Sequence, residues 1–278
     1  MPTLEEKVLL LAPPNGFLEN PYPVPRLGLL YIGTALRQSG CQVTLRHLSE
    51  LGELENLLTL ESFDFVGISA TTREYHEAIK ILNYVKREGY PAKVAIGGAH
   101  ATALPDECLR NGFDLVVTGE ADLQVSELVC VPSREPRVVN CGWIADLDVL
   151  PMPDLSLLDA DREWQPSLYI GQPPDLRIAS IMLSRGCPYH CAFCGPHYSY
   201  RRRTSSGIDA ELRALAATGH DGLIILDDVP FLNEDQVRSF CELIRPHRME
   251  FRCNFRVDLL TPRIVALLSG AGCRRIQL

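Results

Sequence analysis

Ile178-Ala179-Ser180-Ile181-Met182-Leu183-Ser184-Arg185-Gly186-Cys187-Pro188-Tyr189-His190-Cys191-Ala192-Phe193-Cys194 runs from the apolar stretch 178–183 through the turn Ser184-Arg185-Gly186 into three cysteines spaced CxxxCxxC. An apolar strand entering a tight cysteine loop can place three thiolates around one small volume. Soft thiolates select iron–sulfur clusters or zinc. A structural zinc site needs a fourth ligand to close its tetrahedron, and His190 and His197 are both near. A cubane cluster held by three cysteines instead leaves one iron open to a further ligand.

Cys187, Cys191, Cys194, the aromatic Phe193 and the lead-in Ser184-Arg185-Gly186-Cys187-Pro188 resemble the cluster motif of the radical S-adenosylmethionine (SAM) superfamily. The resemblance implies that the three thiolates hold a [4Fe–4S] cluster whose fourth iron binds the amino and carboxylate groups of SAM. An electron from the cluster then cleaves the sulfonium to give a 5′-deoxyadenosyl radical. It also implies an electron donor such as flavodoxin or ferredoxin and a small-molecule substrate.

The chain has 278 residues, a length that suggests two domains. Its formal charge of −8 argues against nucleic-acid binding by bulk charge. Ten cysteines in a chain of this length do not read as a secreted disulfide scaffold. No signal-like segment opens the sequence and no apolar run reaches membrane-spanning length, so the expected setting is the reducing cytosol. The seven cysteines outside the loop (Cys41, Cys108, Cys130, Cys141, Cys241, Cys253, Cys273) show no ligand spacing and read as small buried hydrophobes.

Upstream, short apolar runs alternate with helical patterns. Strands are expected at 7–12, 42–46, 64–69, 93–96 and 115–118. Helices are expected at 27–38, near 53–60, at 73–87 and 105–110, and through about 129. Pro21, Pro23 and Pro25 stiffen the approach to the first helix. Five strands alternating with helices predict a doubly wound, flavodoxin-like parallel sheet. Ligands bind beyond the carboxyl ends of such strands. There stand Ser69 and Thr71 after strand three, Gly97 and Gly98 after strand four, and Gly119 and Glu120 after strand five. From spacing alone, Gly97-Gly98 reads as a strand-to-helix turn.

Pro25-Arg26-Leu27-Gly28-Leu29-Leu30-Tyr31-Ile32, Val66-Gly67-Ile68-Ser69, Gly97-Gly98-Ala99-His100 and Val117-Thr118-Gly119-Glu120 resemble, in order, the cobalamin-binding domain that often precedes a radical SAM barrel. That resemblance implies that the serine/threonine strand end and the paired glycines line a cavity for the nucleotide tail of cobalamin. The motif DxHxxG, whose histidine ligates cobalt, is absent: Pro13-Pro14-Asn15-Gly16 stands after strand one. Bound cobalamin would therefore lack a histidine ligand from this motif. His47 follows strand two and is not at the motif's place; His76 and His100 read as surface or hydrogen-bonding residues.

Residues 131–175 are rich in proline and polar residues and read as a linker between domains at 1–130 and 176–278. Trp143 and Trp164 read as packing anchors. In the second domain, strands are expected at 178–183, 222–228, 250–256 and 273–278, and helices at 208–218, 233–245 and 261–269. Thr261 is the expected N-cap of the last helix and Pro262 its first residue. Phe193 reads from its type as a core aromatic; the resemblance implies that its backbone faces adenine and its ring shields the cluster. Asp227-Asp228 at a strand end reads as a helix cap, whereas the resemblance implies that one of them meets the SAM amino group. Arg256 is expected to meet a ligand carboxylate or to pair with Asp258. Arg201-Arg202-Arg203 reads as a solvated surface patch.

The resemblance implies an incomplete (βα) radical-SAM partial barrel, because related barrels have six strand–helix units and this sequence stops within the fourth strand. Cobalamin-dependent methyl transfer to an unactivated carbon is the leading functional expectation. The alternatives are a non-catalytic cobalamin- or ligand-binding module and a zinc-stabilised structural protein.

Overall fold

A computed structural model describes residues 6–16, 26–131, 135–158, 168–173, 175–194 and 198–278. Pro21, Pro23, Pro25, Trp164 and His197 lie outside these residues. The described residues within Met1–Ile144 and Leu150–Trp164 form one compact unit, and those within Ala145–Val149 and Gln165–Leu278 form a second.

The first unit contains β1 (Lys7–Ala12), α1 (Leu27–Gln38), β2 (Gln42–His47), α2 (Gly52–Leu60), β3 (Phe65–Ser69), α3 (Tyr75–Arg87), β4 (Lys93–Gly97), α4 (Ala99–Ala103), α5 (Pro105–Arg110), β5 (Leu115–Thr118), α6 (Val125–Cys130) and β6 (Arg137–Asn140). Its strands lie in the order β2-β1-β3-β4-β5-β6, every pair parallel. β1 is buried from Val8 to Ala12, as a central parallel strand covered on both faces must be. The amphipathic α3 buries Ala78, Ile81, Leu82 and Val85 against Val66, Ile68 and Ile96. Each of the larger side chains, Ile81, Leu82 and Val85, contributes about 1.5–3 kcal/mol on burial. Strand order reverses between β1 and β3, which places the ligand-binding crevice of this topology there.

The sequence reading stops this sheet at five strands; the structure adds β6 within the stretch read as linker. β6 is a four-residue edge strand whose burial only alternates between half-buried and exposed. An edge strand needs no continuous apolar run, and Pro136 immediately before it imitates a loop. The rest of the 131–175 stretch is shared between the two units. Trp143 is 43% exposed, which corrects its reading as a packing anchor.

The second unit contains β7 (Ile178–Ile181), β8 (Ser184–Arg185), β9 (Arg201–Arg202), α7 (Ser205–Ala217), β10 (Gly222–Ile225), α8 (Glu234–Ile244), β11 (Glu250–Asn254), α9 (Pro262–Gly270) and β12 (Cys273–Gln277). β12-β11-β10-β7 is a parallel sheet in sequential order, and β8 pairs antiparallel with β9. Helix starts are fixed locally: Thr204, Asn233 and Thr261 each accept a hydrogen bond from the backbone N–H three residues on. Pro262 holds the first position of α9, as expected. One sheet face is apolar, with Phe251 of β11 edge-on to Phe240 of α8 at 5.4 Å. The other face carries Arg252 and Asn254, because side chains alternate along a strand.

The arginine run is not a solvated patch. Arg201 and Arg202 form β9, and Arg203, only 11% exposed, pairs with Asp148 at 3.3 Å and with Glu211. Glu211 is buried, and burial raises its carboxyl above the ordinary range although the Arg203 guanidinium pulls it down.

Candidate functional site

In the first unit, the carboxyl edge of the sheet is tied together by Glu74, a residue the sequence reading passed over. Its buried carboxylate accepts hydrogen bonds from Arg26, from Asn15 Nδ2 at 3.3 Å, and from the Thr71 backbone N–H and hydroxyl, both at 3.0 Å. The loop after β1, the start of α1 and the loop after β3 thus converge on one group. Burial pushes the Glu74 carboxyl up, but Arg26 and Thr71 outweigh it and hold the group below its ordinary range. His47, buried at the end of β2, is lowered to about 4 by burial and then by the charge of Arg26. It is neutral at pH 7.

Ser69 and Gly97 are half-buried, while Thr71 and Gly98 are exposed. Gly98 lies against the end of β3: Ala70 N–H donates to Gly97 O at 3.2 Å, and His100 N–H to Ala70 O at 3.1 Å. His100 is buried, stacks on Tyr75 at 3.7 Å and bonds Thr72 Oγ1 through Nδ1 at 3.2 Å. Gly119 and Glu120 are used by the protein itself. Gly119 has φ +79°, and a Cβ there would meet Gly142 O at 2.4 Å. Glu120 accepts from Ile144 N–H at 2.7 Å. These two residues join the end of β5 to the chain leaving β6, a strand the sequence reading lacked. Ser69 and Thr71 at the end of β3 and Gly97 and Gly98 at the end of β4 form a short polar edge next to the switch point. A Cβ on Gly98 would meet Ser69 Oγ at 2.9 Å, so that glycine serves the protein's own packing, whereas one on Gly97 would meet nothing nearer than Val117 O at 3.8 Å. The Gly97 backbone is open to a ligand, and cobalamin is the group the resemblance implies.

In the second unit, the cysteine loop leaves β8 through Gly186, whose φ is +80° and whose Cβ would meet Ser199 O at 2.4 Å. Cys187 N–H donates to Tyr198 O at 3.2 Å, and Cys194 N–H to Cys191 O at 2.9 Å, closing a turn. All three cysteines are free thiols; Cys187 and Cys191 are half-buried and Cys194 is exposed. Their sulfurs are not gathered about one point. Among the described residues, no three Cys, His, Asp or Glu side chains stand where they could hold one metal ion. The loop fits a cluster by the chemistry of its donors: three unbridged thiols within eight residues. Phe193 is 94% exposed, which corrects its reading as a core aromatic.

Arg256, just beyond β11, reaches this loop. Its guanidinium lies over the Tyr189 ring at 3.7 Å and donates to Cys191 Sγ at 3.4 Å. It also grips both Asp258 oxygens, at 3.0 and 2.8 Å. The pairing with Asp258 is therefore present, and the contact with Cys191 was not anticipated. Of the two candidate acids, Asp228 is exposed and Asp227 is buried. Asp227 accepts from Leu183 N–H at 2.9 Å and from the Ser184 hydroxyl, tying β8 to the end of β10. Burial pushes its carboxyl up to about 6 despite these bonds.

The description "B12 binding domain" matches residues 18–129, and "Radical SAM superfamily" matches residues 181–278. An uncharacterized methyltransferase of Pyrococcus horikoshii is 24% identical over 91% of this chain and 60% of its own length. The anaerobic magnesium-protoporphyrin IX monomethyl ester cyclase of Rubrivivax gelatinosus is 27% identical over 83% of this chain and 46% of its own. The hopanoid C-3 methylase of Methylococcus capsulatus is 26% identical over 84% and 48%. The chain thus spans about half the length of these curated relatives. Among solved structures, the radical SAM methyltransferase TsrM from Kitasatospora setae, with cobalamin and a [4Fe–4S] cluster bound, superposes with a TM-score of 0.70. The match has 19% identity and covers 98% of this chain and 58% of that one, a likeness that shows the fold. No helix among the described residues is long and apolar enough to cross a membrane. The free-thiol loop after β8 and the sheet edge of the first unit fall within the two matches: the chain carries a B12-binding domain at residues 18–129 followed by a radical SAM domain at residues 181–278.

Proposed function

We propose that the protein is a radical SAM enzyme that holds a [4Fe–4S] cluster through Cys187, Cys191 and Cys194, and that its reaction is cobalamin-dependent methyl transfer to an unactivated carbon of a small molecule. The observation that carries this reading is the loop of three free thiols directly after the first strand of a sequential parallel sheet. When bound, the cluster supplies the electron that cleaves the SAM sulfonium, and cobalamin supplies the methyl group. Arg256 restrains the loop from outside, through the Tyr189 ring and the Cys191 sulfur. Asp228, exposed at the end of its strand, is the carboxylate that meets the SAM ammonium, while buried Asp227 positions the strand ends. The exposed Phe193 ring is free to cover the cluster. Ser69, Thr71, Gly97 and Gly98 line the cobalamin edge. Electrons come from a donor such as flavodoxin or ferredoxin.

Anaerobic purification and metal analysis test the reading. About four iron and four sulfide per chain support it; one zinc without iron refutes it. Cys191→Ala should abolish iron and leave the first unit folded, and retained iron would refute the ligand assignment. Hydroxocobalamin should co-elute with the chain. Incubation with reductant and SAM should yield 5′-deoxyadenosine; none from a cluster-loaded sample would leave only a binding module.

A further inference from the structure

The face of the second sheet turned away from α8 carries a row of residues that the proposed cluster and SAM contacts do not use. Register pairs Ser180 of β7 with Ile224 of β10, Ile224 with Arg252 of β11, and Arg252 with Arg275 of β12. Paired residues of parallel strands point to the same face. Two residues further along, Asn254 pairs with Gln277. All of these positions except Ser180 border a cavity of about 210 Å³, whose polar lining is Arg252, Asn254, Arg275 and Gln277. Both charged residues in that lining are arginines, and no carboxylate is among them.

Two guanidiniums at one register position on adjacent strands repel each other. Burial, and then the charge of Arg275, pull the Arg252 guanidinium below its ordinary range. At the far end of the same row, the Ser180 hydroxyl is buried without a hydrogen-bond partner. A buried orphan hydroxyl and a like-charged pair are both unfavourable in the bare protein, and an anion relieves the second directly. The cavity is smaller than the roughly 300–1,000 Å³ of whole-ligand pockets, so it suits a substituent rather than a cofactor.

We propose that Arg252 and Arg275, assisted by the amides of Asn254 and Gln277, bind an anionic group, phosphate or carboxylate, of the substrate. This rests on the reading of the second unit as the catalytic domain. The forked guanidinium geometry matches either group through paired hydrogen bonds.

The test is titration of the full chain with inorganic phosphate and, separately, acetate at constant ionic strength. Binding is followed by calorimetry and, for phosphate, by ³¹P line width. Saturable binding is expected. Arg275→Gln, at an exposed position, and Arg252→Gln should each weaken it by roughly tenfold or more, the loss of one charge-assisted pair. Arg274→Gln, whose guanidinium pairs with Glu250 instead, should leave it unchanged. Tighter phosphate than acetate points to a phosphate ester, and the reverse to a carboxylate. Binding that does not saturate, or that survives both arginine replacements in folded variants, overturns the proposal. Competition by SAM would assign the arginines to the cofactor's carboxylate and likewise overturn it. Because the titration uses iron-free protein, its failure is separable from failure of the cluster reading, which is judged by iron content alone.

Discussion

Asp227→Asn separates a structural carboxylate from a ligand-binding one. The Asp227 side chain is 3% exposed, and its hydrogen-bond donors are neutral: the Leu183 N–H and the Ser184 hydroxyl. Burial is the largest influence on its carboxyl and raises it from the ordinary 3.8 to about 6. Because the folded value lies above the unfolded one, the protonated acid is the form the fold prefers. Its stabilising contribution is complete below about pH 3.8 and is lost as pH rises through about 6. The gap between those values is worth about 3 kcal/mol, of which about 2 kcal/mol falls between pH 4.5 and 7.5. Asparagine keeps an oxygen for Leu183 N–H, and Ser184 can then donate to Val229 O, now at 3.3 Å. The variant carries no charge at this site at either pH. The assay is urea unfolding of both proteins by far-UV circular dichroism at about pH 4.5 and about pH 7.5. The variant should gain about 2 kcal/mol relative to the wild type on going to the higher pH. Every other titrating group cancels in that difference. A difference that does not change with pH, or that changes in the opposite direction, refutes the burial argument.

Gly119→Ala forces a side chain onto Gly142 O in left-handed backbone and should destabilise the first unit by at least about 1–2 kcal/mol, read as a lowered Tm; an unchanged Tm would mean that the β5–β6 junction is not the constraint it looks to be. Glu74→Ala strips the shared acceptor from Arg26, Asn15 and Thr71 and should cost about 2–3 kcal/mol in denaturant unfolding. Asp228→Asn should weaken SAM binding to the cluster-loaded chain by roughly tenfold, while Asp227→Asn leaves it near wild type; the reverse order, measured by equilibrium dialysis, would exchange the two roles.

The parallel first sheet was legible because its inner strands, such as Val8–Ala12, are buried on both faces and must be written as unbroken apolar runs. β6 was not, because one exposed side and a preceding proline remove that signature. The same limit applied to the site. Cysteine spacing marked the loop, since three thiols at fixed intervals have few other uses. Nothing local marked Glu74: among surface acids at helix starts it looks ordinary, and only the tertiary approach of Arg26 and Asn15 makes it a hub. Glu120 shows the converse. Its place after a strand suggested a ligand contact, and the structure gives it the Ile144 N–H, which lies beyond a strand the reading had omitted. Arg256 stood between two expectations because a guanidinium has several donors. It satisfies Asp258 and still reaches Cys191.

Glu74 and Asp227 do the same work in the two units and differ in how they are charged. Each is a buried carboxylate beyond the end of a parallel strand, and each accepts backbone and hydroxyl hydrogen bonds from a loop that it holds in place. Glu74 has Arg26 beside it, which overcomes burial and keeps it ionised. Its stabilising contribution is present above its unfolded value and is lost as pH falls through the lowered folded one. Asp227 has only neutral donors, so burial prevails and its contribution runs the other way, fading as pH rises through about 6. Mild acid therefore relieves strain at the strand ends of the second unit while leaving the Glu74 hub of the first intact. The charge of Arg202 also pulls the Asp227 carboxyl down, but it ranks after burial and the hydrogen bonds from Ser184 and Leu183, so burial prevails there as it does not beside Arg26.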